Sequence, residues 1–148
     1  MKYVSENNSF MTEAKNIRNY LSTDKNHPTG AVLVKDGIII GKSANRSKIN
    51  NKYLLELHGK GVCIRKILKI KSGSKYWMCP GCASSRYHSE YGAVVDAQKK
   101  GRDTVNSDLY LFGHWWCCKS CWDKMIEAGV RDVYLVEGAT EKYRDNKR

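Results

Sequence analysis

Long hydrophobic stretches are missing from this sequence. Its apolar runs, such as Ile38-Ile39-Ile40, fall far short of the roughly 20 residues a membrane helix needs, so no membrane partner is expected. The opening Met1-Lys2-Tyr3-Val4-Ser5-Glu6-Asn7-Asn8 lacks the apolar centre of a secretory leader, and a cytoplasmic protein is expected. Proline is scarce, two residues in 148, which excludes collagen-like and proline-rich extended chains. Acidic residues are outnumbered, 15 against 26 Lys and Arg, leaving a net charge of +11.

What is present reads as globular. Apolar types make up 41% and charged types 28% of 148 residues, which suits one domain with a real core. A domain this basic commonly meets something anionic, such as nucleic acid, a nucleotide or an acidic surface. A soluble protein from a lysine-rich proteome is the plain alternative. Much of the excess lies between Lys60 and Lys75 and in the tail 142–148, which is expected to fray. Six cysteines stand at Cys63, Cys79, Cys82, Cys117, Cys118 and Cys121. Without a leader, two C-x-x-C pairs favour metal over disulfides, because two intervening residues let both thiolates reach one tetrahedral zinc.

The spacing of Phe10, Ala14, Ile17 and Leu21 predicts a helix over 9–21, broken by His27-Pro28-Thr29-Gly30. Ala31-Val32-Leu33-Val34 and Ile38-Ile39-Ile40 predict two strands. Asp36-Gly37 joins them, since a two-residue hairpin turn needs positive φ at both centres. Tyr91, Val94 and Ala97 predict a helix ending at Gly101, and Leu109-Tyr110-Leu111-Phe112 a strand. A helix follows over about 118–128, stopped by Gly129, and then the strand Val133-Tyr134-Leu135-Val136. Strand, helix and strand at this spacing form a crossover, so the last two strands run parallel. The class is α/β: an antiparallel hairpin joined to parallel strands, with helices on the faces. Residues 47–86 resist assignment. They hold Tyr53, Leu54, Leu55, Leu57, Ile64, Ile67, Leu68 and Ile70 between basic residues, partly helical, with Ser72-Gly73-Ser74 as a stop. About 40 residues are too many for a structureless loop, so something must organise them.

His88-Ser89-Glu90 and Cys118-Lys119-Ser120-Cys121 both fall at predicted helix starts. One imidazole and two thiolates give a zinc three protein ligands and leave a fourth position open for water, the mark of a catalytic site. Zinc brings the pKa of bound water towards about 7, and helix N-termini favour thiolate and hydroxide. Glu90 is not needed as a ligand. Its natural task is to take a proton from the water and deliver it to the ring nitrogen beside the attacked carbon. Each motif alone recurs by chance; their order, their helix-start contexts and the strand between them make the pairing informative. An H-x-E followed by P-C-x-x-C is the signature of zinc nucleobase deaminases.

The sequence resembles the zinc-dependent cytidine and deoxycytidylate deaminase superfamily, most of all the deoxycytidylate (dCMP) deaminases. The likeness covers about 100 residues in order. Pro28-Thr29-Gly30-Ala31-Val32-Leu33-Val34 is similar to the family's first-strand segment. Gly41-Lys42-Ser43-Ala44-Asn45-Arg46 is similar to the segment whose Asn contacts the sugar. Leu109-Tyr110-Leu111 is similar to the strand leading into the C-x-x-C, and 126–134 to the next helix, turn and strand. The resemblance implies a mixed five-stranded sheet flanked by helices in three layers, over one domain 1–148 with a basic, Cys-containing insert at about 47–86. It implies catalytic zinc on His88, Cys118 and Cys121, Glu90 as proton shuttle, and Asn45 and the backbone around Ala31 in the pocket. Two departures stand out. Cys117 replaces the usual proline, as a packing thiol, an extra ligand or an oxidation liability. Ser89 replaces the small residue whose backbone N–H the family uses for substrate.

Cys79-Pro80-Gly81-Cys82 looks like a zinc knuckle, with Cys63 16 residues before it and His58 five before that. A closed His58, Cys63, Cys79, Cys82 site would fix the insert, since structural zinc contributes folding energy directly. Cys117 or His114 could replace His58, and a buried thiol with a reduced pair is the plain alternative. Some dCMP deaminases carry a second, structural zinc here. Trp115 matches a tryptophan with which polynucleotide cytidine deaminases stack on the base. Trp116, Trp77 and Trp122 suit the core equally well. His114 and His27 fall near the substrate.

The leading expectation is a zinc hydrolase that converts dCMP to dUMP by attack of zinc-bound hydroxide, with Glu90 moving the proton. The first alternative is deamination within a polynucleotide, of cytosine in DNA or adenosine in tRNA, for which the +11 charge and Trp115 speak. The second is a non-catalytic zinc-ribbon module that binds nucleic acid, which His88-Ser89-Glu90 opposes. Relatives often self-assemble, and a homo-oligomer is expected.

Overall fold

The computed structural model describes residues 1–71 and 74–144. Ser72 and Gly73, two of the three residues read as a stop, lie outside the described residues, as do residues 145–148 of the tail 142–148; Lys142 and Tyr143 of that tail do not fray but end a helix, with Tyr143 packed on the core.

Strand β1 (Lys2–Val4) opens the fold. Asn8 then caps α1 (Ser9–Leu21), its side-chain oxygen accepting from the N–H groups of Phe10 and Met11 at 3.0 and 3.2 Å. Met11, Ala14 and Ile17 form its buried stripe. Strands β2 (Gly30–Lys35) and β3 (Ile38–Ala44) make the expected antiparallel hairpin. Asp36 and Gly37 turn the chain at φ of 51° and 77°, the left-handed values the turn requires.

Residues 47–86 are organised, and not by an apolar core. They carry α2 (Lys52–Gly59), α3 (Ile64–Ile67) and single 3₁₀ turns at Tyr76–Met78 and Ser85–Tyr87. Leu54, Leu57, Ile64, Ile67, Leu68 and Trp77 are exposed. The buried centre is instead Cys63, Cys79 and Cys82, with Tyr76 packed against them.

Helix α4 (Ser89–Lys99), strand β4 (Asp108–Phe112), helix α5 (Lys119–Glu127) and strand β5 (Asp132–Val136) follow as read, and β4 and β5 are parallel. Gly129, at φ 72°, ends the turn after α5. Helix α6 (Ala139–Tyr143) closes the described chain. The sheet order is β1-β5-β4-β2-β3, with β1 parallel to β5 and β2 antiparallel to β4. Tyr110 and Tyr134, directly paired across β4 and β5, stack at 4.7 Å.

Two glycines set the layers. A Cβ on Gly30 would strike the carbonyl of Ala14 in α1, and one on Gly41 the carbonyl of Ala93 in α4. Gly41 pairs with Leu33, three residues from Gly30, so the two face opposite sides of the sheet. Helix α1 therefore covers one face, and α4, with α5 beside it, the other. No described helix is long and apolar enough to cross a membrane.

Candidate active site and metal centres

Helices α4 and α5 start side by side. His88 is the N-cap of α4 and Cys118 the N-cap of α5, both extended, and Cys121 lies in the first turn of α5. His88 Nδ1 is 3.3 Å from Cys118 Sγ and 3.6 Å from Cys121 Sγ, and the sulfurs are 3.4 Å apart. Ligand bonds of about 2.0–2.3 Å in a tetrahedron put donor atoms about 3.3–3.8 Å apart, so these three fit zinc. His88 Nε2 donates to the carbonyl of Ala83 at 3.3 Å, which leaves Nδ1 as the ligand atom. Without metal, the hydrogen bond with Cys121, aided by His88 and Ser120, holds the Cys118 thiol down to about 3 against its burial. The Cys121 thiol is pushed up by the same bond and by burial. Burial opposes the charged His88 ring, but Cys118 and Glu90 raise its pKa nonetheless.

Glu90, in the first turn of α4, is 5% exposed. Ser89 Oγ donates to Glu90 Oε2 at 3.1 Å and lies 2.8 Å from Thr29 Oγ1, so a buried hydroxyl pair holds the carboxylate. Cys117 belongs to neither donor group and packs in the core. Burial and the nearby Glu90 push its thiol well up, so it stays S–H.

One cavity joins these groups. Glu90, His88 and Cys118 line it with Tyr76, His114, Trp115, Trp116 and Tyr143, and with His27, Thr29, Asn45 and Asp24. Trp115 is thus on the wall, and Trp116 with it. Trp77 is exposed, whereas Trp122 packs on the core. Asn45 reaches the cavity with most of its amide engaged. Its oxygen accepts from Thr29 N at 2.8 Å and Ser22 Oγ at 2.6 Å, and its Nδ2 donates to the His27 carbonyl at 2.7 Å. Ala31 is fully buried inside β2 and lies outside the lining; Thr29 is the wall residue of that segment. The side chain of Ser89 is likewise buried behind the wall, where it serves Glu90.

The second donor group also comes together. His58, Cys63, Cys79 and Cys82 are all buried, with ligand atoms within 4.8 Å of one another. Cys82 Sγ lies 3.6 Å from both Cys63 Sγ and His58 Nε2. His58, not Cys117 or His114, is the fourth member. Burial opposes ionisation of Cys79, but N–H groups of Ile64, Gly81 and Cys82 and the thiol of Cys63 hold its pKa below the usual range. Four closed N/S donors fit a structural zinc. All six cysteines are free of disulfides.

Sequence reasoning missed Thr29, Tyr76, the Ala83 carbonyl and Arg65. None carries a local signal, because each acts through contacts with distant segments.

A three-donor site at two helix starts, a buried carboxylate beside it and a three-layer α/β frame define the zinc-dependent deaminases as a class. The chain belongs to the family described as the cytidine and deoxycytidylate deaminase zinc-binding region, whose profile matches residues 4–137. No curated protein matches it in sequence. The dCMP deaminase of cyanophage S-TIM5, solved apo and in complex with dCMP and dUMP, is similar in fold. Its TM-score is 0.54 at 17% identity, over 93% of this chain and 89% of that one. A Thermotoga maritima diaminohydroxyphosphoribosylaminopyrimidine deaminase/5-amino-6-(5-phosphoribosylamino)uracil reductase gives a TM-score of 0.52 at 22% identity, over 93% of this chain. The chain spans 33% of that protein's length.

Proposed function

We propose that residues 1–148 act as one hydrolytic deaminase unit that converts a cytosine nucleotide to its uracil counterpart, with dCMP the best single substrate. The observation that carries this reading is that Glu90, His88 and Cys118 share a cavity walled by aromatic rings. His88, Cys118 and Cys121 would hold a zinc ion, which when bound supplies Lewis acidity and lowers the pKa of water to about 7. Trp115 and the neighbouring rings stack on the base and exclude water. Glu90 takes a proton from the attacking water and delivers it to N3 as the water oxygen bonds to C4; it then carries the second water proton to the C4 amine, which leaves as ammonia while the C4 carbonyl forms. Ser89 keeps Glu90 aimed through that transfer. The imidazoles of His27 and His114 line the same cavity and can donate to a 5′-phosphate. His58, Cys63, Cys79 and Cys82 would hold a second zinc that ties down the insert.

One observation favours a second reading, deamination within a polynucleotide. No Lys or Arg is among the described residues lining the cavity, whereas Lys48, Lys52, Lys60, Lys66, Lys69, Lys71 and Lys75 are exposed on the insert, with Trp77. That places cationic charge outside the cavity, where a phosphate backbone would run. Ammonia release from cytidine, dCMP, dCTP, single-stranded DNA and tRNA separates the two. Turnover of dCMP above the rest supports the first reading; turnover of only a polynucleotide, with strongly salt-dependent binding, supports the second; none with any removes both. Self-association of the chain belongs to the same proposal. Leu54, Leu57, Ile67 and Leu68 offer apolar surface for it, and light-scattering mass tests it.

A further inference from the structure

Arg65 is the largest fully buried side chain of the protein's described residues, at 0% exposure, in a helix of four residues. Its Nε donates to the Ser74 carbonyl at 3.0 Å and its Nη2 to the Lys71 carbonyl at 3.1 Å. Its Nη1 is 3.5 Å from Cys82 Sγ. No carboxylate pairs with it among the described residues. A guanidinium taken out of water needs an anion nearby. Glu56, the one carboxylate in the sequence of the insert, is exposed and does not pair with Arg65, whereas Cys82, which its Nη1 faces, is one of the four donors. A divalent cation held by three thiolates and a neutral imidazole would leave one net negative charge for Arg65 to balance.

The same guanidinium reaches the other site. It lies over the ring of Tyr76 at 4.3 Å, and Tyr76 meets the ring of His88 edge-on at 5.0 Å and 87°. Tyr76 is also a wall of the cavity. A second link runs through the chain. The carbonyl of Ala83, the residue after Cys82, accepts a hydrogen bond from His88 Nε2 at 3.3 Å, and the Ala83 N–H lies 3.5 Å from Asp24 Oδ2. The two donor groups are therefore connected by Arg65 and Tyr76 on one side and by the Cys82–Ala83 peptide on the other.

We infer that Arg65 is a positioning residue through which the His58, Cys63, Cys79, Cys82 cluster sets the aim of His88 and the cavity wall. The inference rests on the proposed deaminase reading for its kinetic readout, but not for its metal readout. Arg65→Lys keeps the charge and loses the planar fork and the stack on Tyr76. Zinc release to a chelator is followed in two phases, the catalytic one being that absent from His88→Ala. Arg65→Lys should keep both ions, while the catalytic phase speeds up by about tenfold. KM for the substrate turned over should rise about tenfold, with kcat within about threefold. Tyr76→Leu, which removes the ring between the two groups, should raise KM and speed the catalytic phase in the same way. It carries the test alone if Arg65→Lys fails to fold. Arg65 is a local support of the insert only, and the inference is overturned, if the folded variants release catalytic zinc and bind substrate as the wild type does. Should the wild type deaminate no cytosine substrate, the functional reading falls, while the release phases still decide the role of Arg65.

Discussion

The hydroxyl of Ser89 sits 3.1 Å from Oε2 of Glu90, with Thr29 Oγ1 2.8 Å behind it. The carboxylate is thus held by a short chain of buried hydroxyls that begins on the segment before β2 and ends on α4. A group that must receive a proton and then give it up gains from such a support, because its orientation stays fixed in both states.

Glu90→Gln keeps the shape of the side chain and removes the proton carrier. Zinc content and thermal stability should stay near wild type, while turnover falls by at least about a hundredfold. Metal analysis beside kinetics checks this. Loss of zinc would make Glu90 a ligand, and full activity would end its catalytic assignment.

Ser89→Ala removes the donor to Glu90 and leaves Thr29 Oγ1 facing a methyl group. A hydrogen bond to a charged group is worth about 1.5–3 kcal/mol, so turnover should drop by about tenfold or more with both zinc ions retained. A variant with wild-type kcat would show that Glu90 aims itself.

Replacing Cys79 and Cys82 together by Ser removes two donors from the insert's only buried centre among the described residues. Zinc should fall from about two ions per chain to about one, and the melting temperature should fall with it. His58→Ala should weaken the same ion. Unchanged zinc counts would dissolve the second site.

Gly41→Ala places a methyl against the Ala93 carbonyl and Ala97 of α4. Neither strand nor helix backbone can yield cheaply, so the cost is about 1–3 kcal/mol, read by urea unfolding. Because α4 begins with His88 and Glu90, activity should decline as well. An unaltered unfolding midpoint would mean that sheet and helix separate more easily than their packing suggests.

Much of this protein was legible in its sequence, for a physical reason. The helix at 9–21, the Asp36-Gly37 hairpin and the parallel pair β4 and β5 depend on local periodicity and on backbone angles that few residues tolerate. His88, Cys118 and Cys121 were readable because ligand geometry imposes short, fixed spacings and uncommon residue types. The grouping of His58 with the knuckle cysteines was open in sequence, because two other donors could have served. Only the packing of α2 against Gly81 and Cys82 selected it.

Long-range contact decided the rest. Lys2–Val4 is too short to show alternation, and it is a strand because β5 offers it an unpaired edge. Leu54, Leu57, Ile64, Ile67 and Leu68 of the insert are apolar, yet they are exposed because the cysteines and Arg65 occupy its centre. Trp115 and Trp116 became cavity walls through where β4 ends, and Thr29 and Tyr76 joined them from segments far away in the chain. Residue type and spacing determined which atoms could bind zinc and move a proton. The folded chain alone decided what holds those atoms in place, since that depends on neighbours that no local pattern encodes.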